Sequence, residues 1–166
     1  MSVLGTGFRY DCEILTPSGE IIQSTDYNLL PQVSIDHIAG LLRGDGTVPI
    51  SAWFVGVFEN NFVPTNGTTS ADLPGVVGES TAYSSATRPT WTHAYDGVSL
   101  IDNLSSKAQF TFTAPKTIYG AFLVSSSVKA GNTGVLLSIA RFSTPKTVDV
   151  GTVFSVAAGI TLVSTT

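Results

Sequence analysis

The chain has 166 residues, of which 43% are hydrophobic and only 12% charged, with a formal net charge of −4 and one cysteine. The length fits one domain with a sizeable core. With no Lys/Arg cluster, a phosphate-neutralising nucleic-acid surface is not expected, and the lone Cys12 excludes an intrachain disulfide or a cysteine zinc site. The N-terminal stretch MSVLGTGFRYDCEIL lacks a basic start and a long apolar core, and no apolar run has membrane-spanning length. No signal peptide and no membrane contact are therefore expected, and synthesis in a cytoplasm is. A surface short of charge is either buried against other subunits or coated with Ser, Thr, Asn and Gly. Low surface charge invites association, which favours the first reading.

In chain order, the first signal is a hairpin. Phe8 to Leu15 and Glu20 to Asp26 flank Thr16-Pro17-Ser18-Gly19, where Pro presets a turn position and Gly supplies φ > 0. Phe8, Tyr10, Cys12 and Ile14 alternate onto one face, so Cys12 reads as a small core residue. Ser34 to Arg43 reads as the one helix. Ser34 is its N-cap, Asp36 lies in the first turn, Val33 and Ile38 have staple spacing, and Gly44 ends it. Ile35, Ile38, Leu41 and Leu42 form its apolar stripe, and His37 reads as a surface or packing histidine. Arg43-Gly44-Asp45 spells the tripeptide integrins read, but a last-turn Arg, a C-cap Gly and a turn Asp account for it fully.

Ile50 to Phe58, ISAWFVGVF, is an apolar strand with Trp53, Val55 and Val57 on one face and Phe54, Gly56 and Phe58 on the other. Apolar residues on both faces predict a central sandwich strand or a face against a partner subunit. Glu59 to Glu79 is a long loop carrying Phe62, Val63, Leu73, Val76 and Val77, and loops of this length are commonly functional. It is expected to pack on a neighbouring subunit. Trp53, Phe54, Phe58, Phe62, Leu73 and Val76 are accordingly the candidate subunit or capsid contacts. In Ser80 to Tyr95, Arg88-Pro89 restricts the backbone to an extended form. Trp91, His93 and Tyr95 then alternate on one strand face, either as a stacking platform for a carbohydrate or as a packing ladder. Asn66-Gly67-Thr68 and Asn103-Leu104-Ser105 match the glycosylation sequon, which has meaning only in a secreted chain.

From Gly97 onward the chain reads as strands: Val98 to Asp102, Ala108 to Thr113, Thr117 to Ser125, Gly134 to Phe142 and Thr152 to Val163. Lys107 to Val124 is the best defined stretch, two strands joined by a tight turn at Ala114-Pro115-Lys116. Gly120 interrupts the second strand, which predicts a bulge or a close backbone approach. The phrase Phe112-Thr-Ala-Pro-Lys-Thr-Ile118 returns as Phe142-Ser-Thr-Pro-Lys-Thr-Val148, and both copies are expected to link one strand to the next. The expected fold is all-β: a β-sandwich of jelly-roll or immunoglobulin-like topology over residues 49–166. An N-terminal hairpin and one short α-helix, residues 1–48, belong to the same single domain.

Catalytic patterns are missing from the sequence. Gly5-Thr6-Gly7 lacks the rest of a phosphate loop. His37 and His93 fall in no metal-ligand spacing. No nucleophile-elbow pattern supports a triad of His93 with Asp96 or Asp102 and a serine. Glu13, Glu20, Glu59 and Glu79 are scattered rather than paired as in glycoside hydrolysis. No enzyme activity, cofactor or metal is expected.

Several segments, in order, resemble a family of small structural proteins encoded in the virion gene clusters of tailed bacteriophages. They are Tyr27-Asn28-Leu29-Leu30 through Ile38-Ala39-Gly40-Leu41-Leu42, where Pro31 and Ser34 depart from the family pattern, and Trp53-Phe54-Val55-Gly56-Val57. Thr81-Ala82-Tyr83 with Ala86-Thr87-Arg88-Pro89-Thr90-Trp91 follows, then Ile101 to Phe112, Gly120 to Ser127, Lys129 to Ala140 and Phe142. The resemblance covers nearly the whole chain and carries no catalytic residues. It implies a capsid decoration or cement protein on the virion surface, binding the major capsid protein and itself as a dimer or trimer. A head or tail fibre module binding a host glycan through Trp91, His93 and Tyr95, or a neck or tail-completion protein, is the alternative.

Overall fold

The computed structural model describes residues 7–162. The chain runs β1 (Phe8–Leu15), β2 (Ile21–Tyr27), α1 (Gln32–Arg43), β3 (Phe54–Phe58), β4 (Ala94–Tyr95), β5 (Leu100–Asp102), β6 (Ala108–Thr111), β7 (Lys116–Val124), β8 (Leu136–Val148) and β9 (Val153–Thr161). Every strand pairing is antiparallel. The larger sheet has the order β2-β1-β9-β5-β4, with β6 also paired to β9; the smaller is β3-β7-β8. The fold is an all-β sandwich. The hairpin is integral to it, since β1 pairs with β9 from Phe8↔Ile160 to Leu15↔Val153. The expectations for residues 1–6 and for Val163 lie outside the described residues.

Alternation explains the main core. Phe8, Tyr10, Cys12 and Ile14 of β1 and Phe154, Val156, Ala158 and Ile160 of β9 face Val55, Val57, Ala121, Leu123 and Phe142 of the smaller sheet. The Tyr10 hydroxyl shares a hydrogen bond with Ser138 across this interior. The smaller sheet is buried on its other face as well, where Phe58, Phe122, Val124, Leu136 and Ile139 pack with Leu73 and Val77. Two glycines let the aromatic rings lie flat on that face. Phe122, register partner of Gly56, occupies the space a Cβ there would need, and Phe58 does the same over Gly120. Gly120 thus marks the close approach its position in the strand predicts, beside a break in the β7–β8 register.

Several expectations change. β6 pairs with β9 while β7 pairs with β3 and β8, so Ala114-Pro115 carries the chain between sheets rather than closing a hairpin. The second copy of the repeated phrase lies inside β8, which runs on to Val148 instead of stopping at Phe142. Its Lys146, Thr147 and Val148 pair antiparallel with Ile118, Thr117 and Lys116 of the first copy. Pro145 is tolerated because Phe142 to Pro145 stand opposite Tyr119 alone, so its missing N–H costs no ladder bond.

The helix starts two residues earlier than the sequence suggests, at Gln32 with Pro31 as N-cap, and no side chain caps it. Ser34 is inside the helix and buried. Asp36 accordingly falls past the first turn. The C-terminal end is as expected, with Gly44 left-handed and its N–H returned to the last carbonyls. The inward face carries Val33, Ser34 and Ile38, which are buried or packed against the two cores, and Gly40 is buried separately under the turn at Asp45–Thr47. Of the apolar stripe only Ile38 packs on the main core, while Ile35 at 43%, Leu41 at 40% and Leu42 at 84% are exposed.

Candidate functional site

The six predicted contact residues divide. Phe58 and Leu73 are fully buried in the chain's own second core and cannot meet a partner. Trp53, Phe54 and Phe62 are half-buried, and Val76 is exposed. Trp53 meets the edge of His37 at 6.1 Å, which makes His37 a packing residue. Part of the loop from Glu59 to Glu79 packs on its own chain, where Leu73 and Val77 are buried, while Val63 and Val76 stay exposed. Ser70–Asp72 forms a single 3-10 turn closed by a capping box with Thr69, and Leu73–Val77 a single π turn, which together drop Leu73 and Val77 onto Phe58 and Phe122. β3 ends the smaller sheet rather than running through its centre, yet both its faces are buried. Thr90 bridges Phe54 and Glu79 bridges Phe58 along its free edge.

The proposed carbohydrate platform is also corrected. Trp91 is only 5% exposed, and its Nε1–H donates to Asn103 Oδ1 at 3.1 Å and to the Ala158 carbonyl at 2.9 Å. Its ring packs on Phe8 from inside and under His93, at 4.4 Å, from outside. No face is left for a sugar. His93 and Tyr95 are exposed, but Tyr95 stands on the two-residue β4, followed by a turn in which Asp96 accepts the N–H groups of Val98, Ser99 and Leu100. Asn103 is fully buried, so its sequon is closed to glycosylation.

The outer face of the larger sheet carries a shallow groove of about 370 Å³ bordered by Arg9, Asp11, Glu13, Lys107 and Leu104. Its charges are mutually satisfied. Asp11 Oδ1 accepts from Arg9 Nη2 at 2.8 Å and from the Thr25 hydroxyl at 2.6 Å. Glu13 Oε2 accepts from Gln23 Nε2 and Lys107 Nζ, each at 3.0 Å, and these bonds hold its carboxyl below the ordinary glutamate value. A carboxylate so occupied is no general base. Burial pushes the Cys12 thiol well above its usual range, which removes it as a nucleophile. Among the described residues no group of three or more His, Cys, Asp or Glu side chains could hold a metal ion.

What the sequence reading passed over is a buried ion pair. Arg88, noted only as the residue before a proline, donates Nε to Glu79 Oε1 at 2.7 Å and Nη2 to Oε2 at 2.6 Å. Its remaining donors reach the carbonyls of Ser126 and Gly131, and its guanidinium lies 5.4 Å from the Phe122 ring centre. An uncommon charge inside an apolar-poor, Ser/Thr-rich stretch was the available signal. The pair ties three loops together and is closed to solvent, so its work is architectural.

Among the described residues, the apolar side chains open to a partner are spread over the surface: Ile35 and Leu42 on the outward face of α1, Val48 just after it, the edge of β2, and Val63, Val76, Val98, Val128 and Val150 in turns and loops. The chain matches no protein-family model and no curated protein.

Proposed function

We propose that this chain is a structural protein of a tailed-phage virion and acts as a capsid decoration or cement protein, binding subunits of the major capsid protein at the head surface. The reading is supported by the ordered resemblance running from Tyr27 to Phe142, and by the outward-turned apolar face of α1, which carries it. Leu42 is 84% exposed and Val48 76%, with Ile35 on the same helix face. Apolar side chains left in water by the fold of a single chain suit a surface completed by assembly. The mechanism is mechanical. Each copy contributes a modest contact, and many copies on one shell sum them into resistance to internal pressure.

The test is the position and copy number of the chain in purified particles, by cryo-electron microscopy and quantitative mass spectrometry. Hundreds of copies on the shell support decoration, whereas a ring of few copies at the portal assigns it to the neck. Leu42→Lys, which leaves the core untouched, is expected to fold and to lose binding to particles that lack the protein. Binding of the Leu42→Lys chain at undiminished affinity overturns the role given to α1. The fibre alternative has lost its principal residue, since Trp91 is interior.

A further inference from the structure

We propose that β2 is a self-recognition edge: two copies of the chain pair β2 to β2, antiparallel, about a two-fold axis through Ser24, and fuse their larger sheets into one. The proposal goes beyond the lattice reading and is independent of it. A chain can dimerise without binding a capsid, or bind one as a monomer.

The first observation is that, among the described residues, β2 ends the larger sheet with no strand paired beyond it. The other long edges are covered. β3 is bridged by Thr90 and Glu79, and β8 is met by Leu29 and by the Asp26 carboxylate, which accepts from Ser143 N–H at 2.7 Å. Edge strands are normally guarded by Lys, Pro or a bulge. β2, IIQSTDY, has none of these; its one charge, Asp26, is turned inward, a device that can also guard an edge, but it is already buried and accepts from Ser143 N–H, so pairing of the edge would not newly bury it.

The second observation is the phase of the backbone. Thr16 N–H donates to Glu20 O and Asn28 N–H donates to Phe8 O, which brackets the β1–β2 ladder at both ends. Hydrogen-bonded and non-bonded pairs alternate along an antiparallel ladder. Ile22, Ser24 and Asp26 therefore spend their backbone groups on β1, while Ile21, Gln23, Thr25 and Tyr27 point theirs away from the sheet.

The third is self-complementarity in one register. Ser24 is the midpoint of β2, and a two-fold axis there sets Ile21 opposite Tyr27 and Gln23 opposite Thr25 of the second copy. All four outward-pointing residues then bond one another, with nothing left over. On the outer face this register continues rows that each chain already has. Leu15 and Ile21, register partners and both exposed, would extend onto Tyr27 and Arg9 of the second copy. Glu13 and Gln23, already bonded, would extend onto Thr25 and Asp11, also already bonded. The acids in that row are neutralised beforehand by Lys107 and Arg9, so no like charges collide. Aromatic against β-branched is among the favourable cross-strand pairs. The Ser24 hydroxyl, buried without a partner in the single chain, would meet its mate on the axis. A shift of one residue would set each free group opposite a residue whose groups are already spent on β1, and a shift of two would strand Tyr27 or Ile21, depending on its direction, beyond the end of the partner strand.

The test is sedimentation velocity of the full chain over a wide concentration range. Wild type is expected to reach a dimer. Thr25→Pro removes an outward N–H that no intrachain bond uses, and Thr25→Lys sets two cations near the axis. Each is expected to weaken dimerisation by about a hundredfold or more while the far-ultraviolet circular dichroism stays that of wild type. Register is read from oxidation of mixed chains carrying Cys12→Ala with either Gln23→Cys or Thr25→Cys. The two variants together are expected to crosslink faster than either alone. A wild type that stays monomeric, a dimer that survives both Thr25→Pro and Thr25→Lys, or crosslinking that is indifferent to the mixture overturns the proposal. If Thr25→Pro fails to fold, Thr25→Lys and the crosslinks decide.

Discussion

The side chain of Asn103 stands in for a strand backbone against Ala158: its Oδ1 accepts the Ala158 N–H at 2.7 Å, and its Nδ2 donates to the Val156 carbonyl at 3.2 Å. β5 leaves β9 at Gly159 and β6 joins it at Val156, so a gap opens between them along the same edge. The amide of Asn103 fills that gap and also accepts from Trp91 Nε1. Without it, buried backbone groups of β9 would have no partner. Asn103→Ala is expected to cost about 2–4 kcal/mol, since several buried groups lose bonds whose absence costs roughly 1–3 kcal/mol each. Asn103→Asp keeps the acceptor but loses the donor and buries a charge, so it should cost at least as much. Urea unfolding followed by Trp fluorescence measures both, and a loss within the error of wild type would refute the bridging role.

Glu79 and Arg88 make the second prediction. Both side chains are fully buried, and each guanidinium nitrogen bonds the carboxylate or one of two carbonyls. Removing one partner of such a pair leaves an uncompensated buried charge, which costs about 3–5 kcal/mol. Arg88→Met and Glu79→Gln should each show a loss of that order in denaturant titration. The double variant should lose clearly less than their sum, because it removes both charges together. Additive losses would mean that the two residues act separately.

A third prediction concerns the glycines under the aromatic rings. A Cβ at Gly56 would fall 2.1 Å from Phe122 Cζ, and one at Gly120 would fall 2.1 Å from the Ala140 carbonyl oxygen and 2.2 Å from Phe58 Cζ. Both substitutions to Ala overpack the second core, at a typical cost of about 1–3 kcal/mol. Gly120→Ala should be the worse, since backbone cannot swing aside as a ring can. Adding Phe122→Leu to Gly56→Ala should restore part of the loss. Thermal melts of the three variants against wild type decide it, and equal effects of the two glycine changes would contradict the asymmetry.

The sequence revealed strands better than partners. Alternation at Phe8, Tyr10, Cys12 and Ile14 specifies a buried face because the side-chain period of a strand is two, and that face is indeed buried. Gly44 and Gly120 were readable because each answers a local steric demand. The destination of Ala114-Pro115 was not, since a turn signal states that the chain bends and leaves open whether it returns to the same sheet. α1 was misoriented for a similar reason. Its apolar residues suggested one buried stripe, but of these only Ile38 packs on the main core; Val33, outside the stripe, packs on the second, and Ile35 and Leu42 are left exposed. Trp91 and Asn103 were invisible as a pair because the bond between them depends on the gap between β5 and β6, a property of the sheet as a whole.

The pH dependence of stability follows from two carboxylates. Glu13 lies below its ordinary 4.5, held there first by the Gln23 hydrogen bond and then by Lys107. Asp96 lies below its ordinary 3.8 because the N–H groups of Val98, Leu100 and Ser99 bind its charged form. In each case the unfolded chain takes up the proton at a higher pH than the folded one. Their contribution is therefore complete above the unfolded values and disappears as pH falls through the folded ones. Solvent screening keeps it modest, since both groups sit at the surface. Glu13→Gln and Asp96→Asn should lower the melting temperature slightly at neutral pH. Between about pH 5 and pH 3 they should also flatten its decline relative to wild type. Carboxylate titrations by nuclear magnetic resonance should place both midpoints below 4.5 and 3.8 respectively. Parallel melting curves for wild type and variants across that range would show that neither carboxylate is coupled to folding.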